Sequence, residues 1–115
     1  MMLIEELPEF GHDVKALAKR FKTIKDDLVD LKKALTVSPD QRPPFSYRIA
    51  DLGIETCVIK VKKIACRSLK GRGVNSGLRL VYAWFEREDR MVFVELYFKA
   101  DKENEDRDRI LRNFT

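Results

Sequence analysis

The spacing of apolar positions changes several times along the chain, and each change marks an element. Leu3 to Leu7 is a short apolar stretch interrupted by acids, as expected of a first strand that stops at Pro8. Beyond the proline the spacing turns helical, with Phe10, Val14, Leu17 and Phe21 at i, i+4, i+7 and i+11 on one face of an amphipathic helix. Ile24, Leu28, Leu31 and Leu35 repeat that spacing, with Thr23 placed to cap them and Asp26 three residues on. So short a joint between two helices predicts an antiparallel hairpin whose apolar stripes face a common sheet.

Ser38 to Tyr47 holds three of the four prolines and predicts a crossing loop. From Thr56 to Cys66 the period is two: Ile59 and Val61 point one way, Lys60 and Lys62 the other, and Ile64 breaks the parity, so the strand should bulge or end near Lys63. Leu78 to Phe85 and Met91 to Phe98 are apolar strands joined by the polar link Glu86–Arg90, the pattern of a β-hairpin. The tail returns to helix, with Asn104 as a cap, Glu105–Arg109 and Asp108–Arg112 spaced for i,i+4 pairs, and Ile110 with Phe114 as an apolar stripe. The expected architecture is α+β: an N-terminal strand, a helical hairpin, a three-stranded antiparallel meander completing a four-stranded sheet, and a short C-terminal helix. With the hairpin on one face, the other face is left for a ligand.

At 115 residues, with 44% hydrophobic and 37% charged positions, the chain is expected to form a single domain spanning residues 1–115. Acids near the N-terminus and the lack of a long apolar run predict a cytoplasmic protein with no membrane partner. Cys57 and Cys66 have neither CxxC spacing nor a neighbouring histidine, so neither a disulfide framework nor a metal site is expected. His12, the only histidine, sits at the start of the first helix, which gives triad or zinc chemistry no support.

The net charge of +4 is mild, but its distribution is not. No acid occurs between Thr56 and Phe85, a stretch that carries Lys60, Lys62, Lys63, Arg67, Lys70, Arg72 and Arg79. Such a block suits a polyanionic partner, or else a solvated strip. Side-chain parity adds geometry. On the last strand Glu95, Tyr97 and Lys99 are expected to share a face and to alternate with Val94, Leu96 and Phe98. If the polar sets point to the same side, Lys60, Lys62, Arg79, Glu95, Tyr97 and Lys99 converge on a concave sheet suited to a phosphodiester. The plainer alternative is an exposed sheet face with cross-strand pairs such as Arg79–Glu95. Trp84 and Phe85 read as core, and Tyr97 as a stacking group. The loop Arg67–Gly77, with three glycines and three cations, is either a flexible hairpin loop or a second contact for phosphate oxygens, and it is not a Walker A motif.

The element order, the paired lysines of CVIKVKK (Cys57 to Lys63), the GLRLVY segment (Gly77 to Tyr82) and the strand VFVELYFK (Val92 to Lys99) resemble the RelE/ParE superfamily of type II toxin–antitoxin toxins over nearly the whole chain. The resemblance implies a RelE-like fold and a ribosome-dependent mRNA endonuclease that needs no cofactor and no metal. It makes Lys60 and Lys62 the paired strand lysines, which hold the backbone or accept a proton, and Arg79 the arginine that stabilises the pentavalent transition state. Lys99 falls beside the position of a second family arginine. Active members carry a tyrosine or histidine in the C-terminal segment, where this chain has the acidic DKENEDRDRI. Either Glu95 and Tyr97 take those roles or the protein binds without cutting. Catalytic candidates are therefore Lys60, Lys62, Arg79, Glu95 and Tyr97, and RNA-binding candidates Lys63, Arg67, Lys70, Arg72 and Lys99. Implied partners are a cognate antitoxin, in a hetero-oligomer, with mRNA and the ribosome. The alternatives are a ParE-like toxin that binds gyrase and an inactive RNA-binding homologue.

Overall fold

The protein is described from a computed structural model that covers residues 2–115. The chain runs β1 (Leu3–Glu6), α1 (Pro8–Ala18), α2 (Ile24–Val37), β2 (Ser46–Arg48), β3 (Cys57–Val61), β4 (Leu78–Phe85), β5 (Arg90–Phe98) and α3 (Arg107–Phe114). The fold is α+β, as the alternation of periods implies. Its sheet has five strands in the order β1-β5-β4-β3-β2, with β1 parallel to β5 and every other pair antiparallel. The strand beyond the expected four is β2, which emerges from the proline-rich crossing segment and pairs Tyr47 with Lys60 at the sheet edge. Three residues in a proline-bounded stretch are too few for a period of two to register in the sequence. None of the helices among the described residues is long and apolar enough to cross a membrane.

The sheet buries both faces. Against α1 and α2 lie Ile59, Val61, Leu78, Leu80, Tyr82, Met91, Phe93 and Leu96, joined by Phe10, Leu17, Phe21, Ile24, Leu28 and Leu35 from the helices. Phe10 meets Phe93 edge to face at 5.3 Å between centroids, and Phe21 meets Phe98 at 5.1 Å, arrangements that add to the stabilisation from area burial. On the opposite face a smaller core gathers Val58, Val81, Ala83, Val92, Val94, Tyr97 and Ile110, with Phe85 and Phe114 at its margin. The face expected to be open is thus half covered by α3, because Ile110 and Phe114 need an apolar partner. Trp84 packs at the edge of the larger core and Phe85 at the edge of the smaller, in line with their apolar context.

One irregularity positions the site. Between β4 and β5 the register shifts at Val81/Tyr82, so that Val81 opposes Glu95 while Tyr82 opposes Phe93, leaving Val94 as the extra residue of a bulge. Its backbone is not orphaned. The Val94 carbonyl accepts from Arg109 Nη1 at 2.9 Å, and the Leu96 N–H donates to Asp13 Oδ2 at 3.1 Å. Arg109 and Asp13 also pair with each other at 2.7 Å, so a single ion pair from α3 and α1 clamps the bulge. Val94 consequently lies on the same side as Glu95 and Tyr97, and not with Leu96 and Phe98 as strict alternation predicts.

The tail differs in its capping. Asp106, not Asn104, is the N-cap of α3, its carboxylate accepting the Arg109 N–H at 3.0 Å. Arg109 and Arg112 reach Asp13 and Glu9 of α1 and make no i,i+4 pairs with Glu105 and Asp108, since docking α3 on the sheet brings the acids of α1 within reach. Thr23 occupies the N-cap position of α2 without a side-chain cap bond. Its hydroxyl instead donates to Asp27 at 2.8 Å and accepts the Ser68 N–H at 2.9 Å. That cluster anchors the outgoing limb of the loop after β3 to the start of α2.

Candidate phosphate-binding site

β3 ends at Val61, and Ile64 turns inward to form an isolated bridge with Asn75, so the parity of the strand is lost where Ile64 signals it. Lys60 and Lys62 stay on the side opposite the helical hairpin. Arg79 on β4 pairs in register with Tyr97 on β5, which places both on that same side. Lys60, Lys62, Arg79, Tyr97 and Lys99, with Glu103 and Asn104 of the following segment, line one cavity of about 150 Å³. Five of the candidate residues are therefore brought together.

Each side chain is held by identifiable partners. Arg79 Nη1 donates to the carbonyls of Lys62 at 2.8 Å and Leu78 at 3.2 Å, which holds the guanidinium at the cavity, while Glu95, its alternative partner, is engaged by Lys102 Nζ and the Asp106 N–H. Lys62 is exposed, its ammonium 5.0 Å from the centroid of the Tyr47 ring. Lys99 is exposed, and its N–H donates to the Gly77 carbonyl at 2.8 Å, tying the end of β5 to the start of β4. Lys60 pairs with Glu105 at 2.7 Å, the two side chains being only 17% and 5% exposed. Burial raises the Glu105 carboxyl, but the Lys60 hydrogen bond, its own backbone N–H and the charges of Lys60 and Arg107 outweigh that and leave it below the usual carboxylate range.

Glu95 and Tyr97 are less accessible than an exposed sheet face implies. Glu95 is 2% exposed; its carboxylate accepts from Lys102 Nζ and, at 2.8 Å, from the Asp106 N–H. It is a clamp for the segment that crosses from β5 to α3. Tyr97 is 5% exposed with Lys102 Nζ 5.5 Å from its ring, which leaves little of the aromatic face for a base. Burial foremost, and then the Glu105 and Glu95 charges, push its phenol up to about 12. Tyr97 is thus a neutral hydroxyl at physiological pH, fit to donate a hydrogen bond and unfit to act as a base.

The remaining cations divide. Lys63 borders a second cavity beside the first and donates to Asn75 Oδ1 at 2.7 Å. Arg67 turns to the helical side, where it pairs with Asp30 and lies 3.7 Å from Asp27. Lys70 is exposed at the loop tip, and Arg72 reaches the Ser76 carbonyl at 3.5 Å; neither lines either cavity. Five residues at the site escape sequence reasoning: Tyr47, Asn75, Glu103, Asn104 and Glu105. Tyr47 is 38% exposed beside Lys62 and is the better placed aromatic for stacking. The one sequence signal for Glu105 was the acidic run after β5, which reads equally as helix-dipole compensation.

Among the described residues no group of three or more His, Cys, Asp or Glu side chains is arranged to hold a metal ion. What the cavity offers is a set of fixed donors, with Arg79 and two exposed lysines at its rim, suited to an oxyanion with several oxygens.

No protein-family model matches the sequence, and no curated protein does. Among solved structures the chain is similar to a metal-bound toxin from Helicobacter pylori, at 18% identity and a TM-score of 0.59, over 89% of this chain and 99% of that one. At that identity the two chains have a fold in common, over nearly their whole lengths.

Proposed function

We propose that the protein is the toxin of a type II toxin–antitoxin pair, a RelE-like, ribosome-dependent endonuclease of mRNA that acts in the cytoplasm as a single domain. The observation that carries this reading is the convergence of Lys60, Lys62, Arg79 and Lys99 with the Tyr97 hydroxyl on one cavity of the sheet. The fold it has in common with a protein described as a toxin supports it. In the reaction, the ribose 2′-oxygen attacks the adjacent phosphorus, the bond to the 5′-oxygen breaks, and the proton lost at the 2′-oxygen is balanced by one gained at the leaving oxygen. Arg79, held by two carbonyls, presents its remaining N–H groups to the equatorial oxygens, where preorganised charge acts most strongly. Lys62 and Lys99 hold the phosphate, and Tyr97 donates to an oxygen. Lys60 joins them once Glu105 yields. An acidic antitoxin segment laid across this face would neutralise it.

The test is to mix purified protein with translating ribosomes and map message ends. Cleavage by the wild type, lost in a folded Arg79→Ala, is expected; intact message overturns the nuclease reading. A second reading, a gyrase-binding toxin of the ParE kind, is favoured by one observation: Glu95 and Tyr97 are nearly inaccessible, and Lys60 is already paired. It predicts inhibition of supercoiling with message left intact.

A further inference from the structure

The long loop between β3 and β4 stands outside the first cavity, and its structure is not that of a slack connector. Its outgoing limb is fastened to α2 through Thr23, Asp27 and Ser68. Its returning limb is fastened by the Ile64–Asn75 bridge and by Ser76, whose buried hydroxyl donates to the Ile64 carbonyl and accepts the Leu78 N–H at 3.1 Å. These ties present Asn75 and Gly77 beside the basic strands. With Lys62, Lys63, Arg79 and Lys99 they line a second cavity of about 300 Å³. It has Lys62, Arg79 and Lys99 in common with the first cavity, so the two adjoin along these three cations.

The second cavity has features of its own. Lys63 is oriented by Asn75 Oδ1 at 2.7 Å, a neutral partner that leaves its charge uncompensated, whereas Lys60 in the first cavity meets a carboxylate. No acid lines the second cavity. Gly77 adopts φ +92°, and a Cβ there would come within 3.0 Å of Phe98 Cε1 in the core beneath the helical hairpin, so both backbone and packing require a glycine here, and it lines the cavity with backbone alone. Arg67, Lys70 and Arg72, the cations expected to serve this loop, take no part. The loop contributes an orienting amide and a glycine floor.

We propose that Lys63, Asn75 and Gly77, together with the shared cations Lys62, Arg79 and Lys99, form a second phosphate subsite, so that the protein grips two consecutive phosphodiesters of a single-stranded RNA, one in each cavity. This rests on the reading of the first cavity as an RNA phosphate site and extends it. The loop thereby sets the length of strand that is read, and Lys63 decides whether the neighbouring phosphate is held.

The test uses the full chain and non-cleavable 2′-O-methyl RNA oligonucleotides with one, two or three phosphodiesters, titrated by NMR at several salt concentrations. Affinity should rise about tenfold from one to two phosphodiesters and little from two to three. The log–log salt dependence should steepen by about 0.7 at the first step. Lys63→Gln should erase the tenfold step, Asn75→Ala should reduce it, and Lys33→Gln, which removes one charge on exposed α2, should leave it intact. Equal affinity for one and two phosphodiesters, or a step that survives Lys63→Gln, overturns the second subsite while leaving the first. Absence of binding at every length overturns both. Binding of the single phosphodiester that is unchanged in Arg79→Ala overturns the role of the shared cations.

Discussion

Removing the Glu105 carboxylate should weaken the fold and strengthen the site at once. Lys60 and Glu105 meet at 2.7 Å with side chains 17% and 5% exposed, so the pair lies between a surface ion pair and a fully buried one. Surface pairs contribute about 0–1 kcal/mol, and removing one partner of a buried pair costs about 3–5 kcal/mol. Because Lys60 retains some access to water and a glutamine still accepts its hydrogen bond, Glu105→Gln should cost about 2 kcal/mol. For a domain of this size that lowers Tm by about 8 °C. The pH dependence has a definite sign. The Glu105 carboxyl titrates below its ordinary value of 4.5 in the folded protein, so its stabilisation is fully present above that value and is lost as pH falls through the lowered one. Thermal melts of wild type and variant should therefore differ at pH 7 and converge only as pH falls through the lowered value. A cycle with Lys60→Met isolates the pair, with a coupling of about 1–2 kcal/mol expected. In parallel, freeing Lys60 should steepen the salt dependence of RNA binding by about 0.7. A Tm change under about 2 °C, or a coupling under about 0.5 kcal/mol, would refute the view that this pair holds the segment over the cavity.

Two further outcomes follow from the geometry. Gly77→Ala, which sets a methyl group 3.0 Å from Phe98 Cε1 at φ +92°, should destabilise the protein by about 1–3 kcal/mol, measurable as a shift in the denaturant midpoint without a change in m. Ultraviolet difference titration should find one tyrosine, assigned to Tyr97 by its loss in Tyr97→Phe, ionising only near pH 12; ionisation near the ordinary value of 10 would place the ring in water.

What could be read in the sequence followed from local periodicity. Phe10, Val14 and Leu17 mark α1, Ile24 to Leu35 mark α2, and the alternation Ile59, Lys60, Val61, Lys62 marks β3, because the helical and pleated repeats each place side chains at fixed intervals. Parity within β3 and within β4 set Lys60 and Arg79 apart from the apolar positions of their own strands, but that the two share a face came from the pairing of the strands, which brings both to one cavity. Parity on β5 failed at Val94, since a bulge depends on backbone partners supplied by Asp13 and Arg109, 83 and 15 residues away in sequence from the groups they satisfy.

The chain by itself determined the order of every element but β2, the pair of amphipathic helices and the acid-free basic block, all of which are properties of neighbours a few residues apart. Tertiary structure alone decided that the block divides, with Lys60, Lys62, Lys63 and Arg79 facing the cavities and Arg67 turning to Asp30. It also decided that Glu105 covers Lys60, that Glu95 is a clamp, and that β2 brings Tyr47 beside Lys62. The physical reason is the same in each case: a charged or polar group settles on whichever partner the packed fold brings within hydrogen-bond reach, and that partner is set by docking between distant segments.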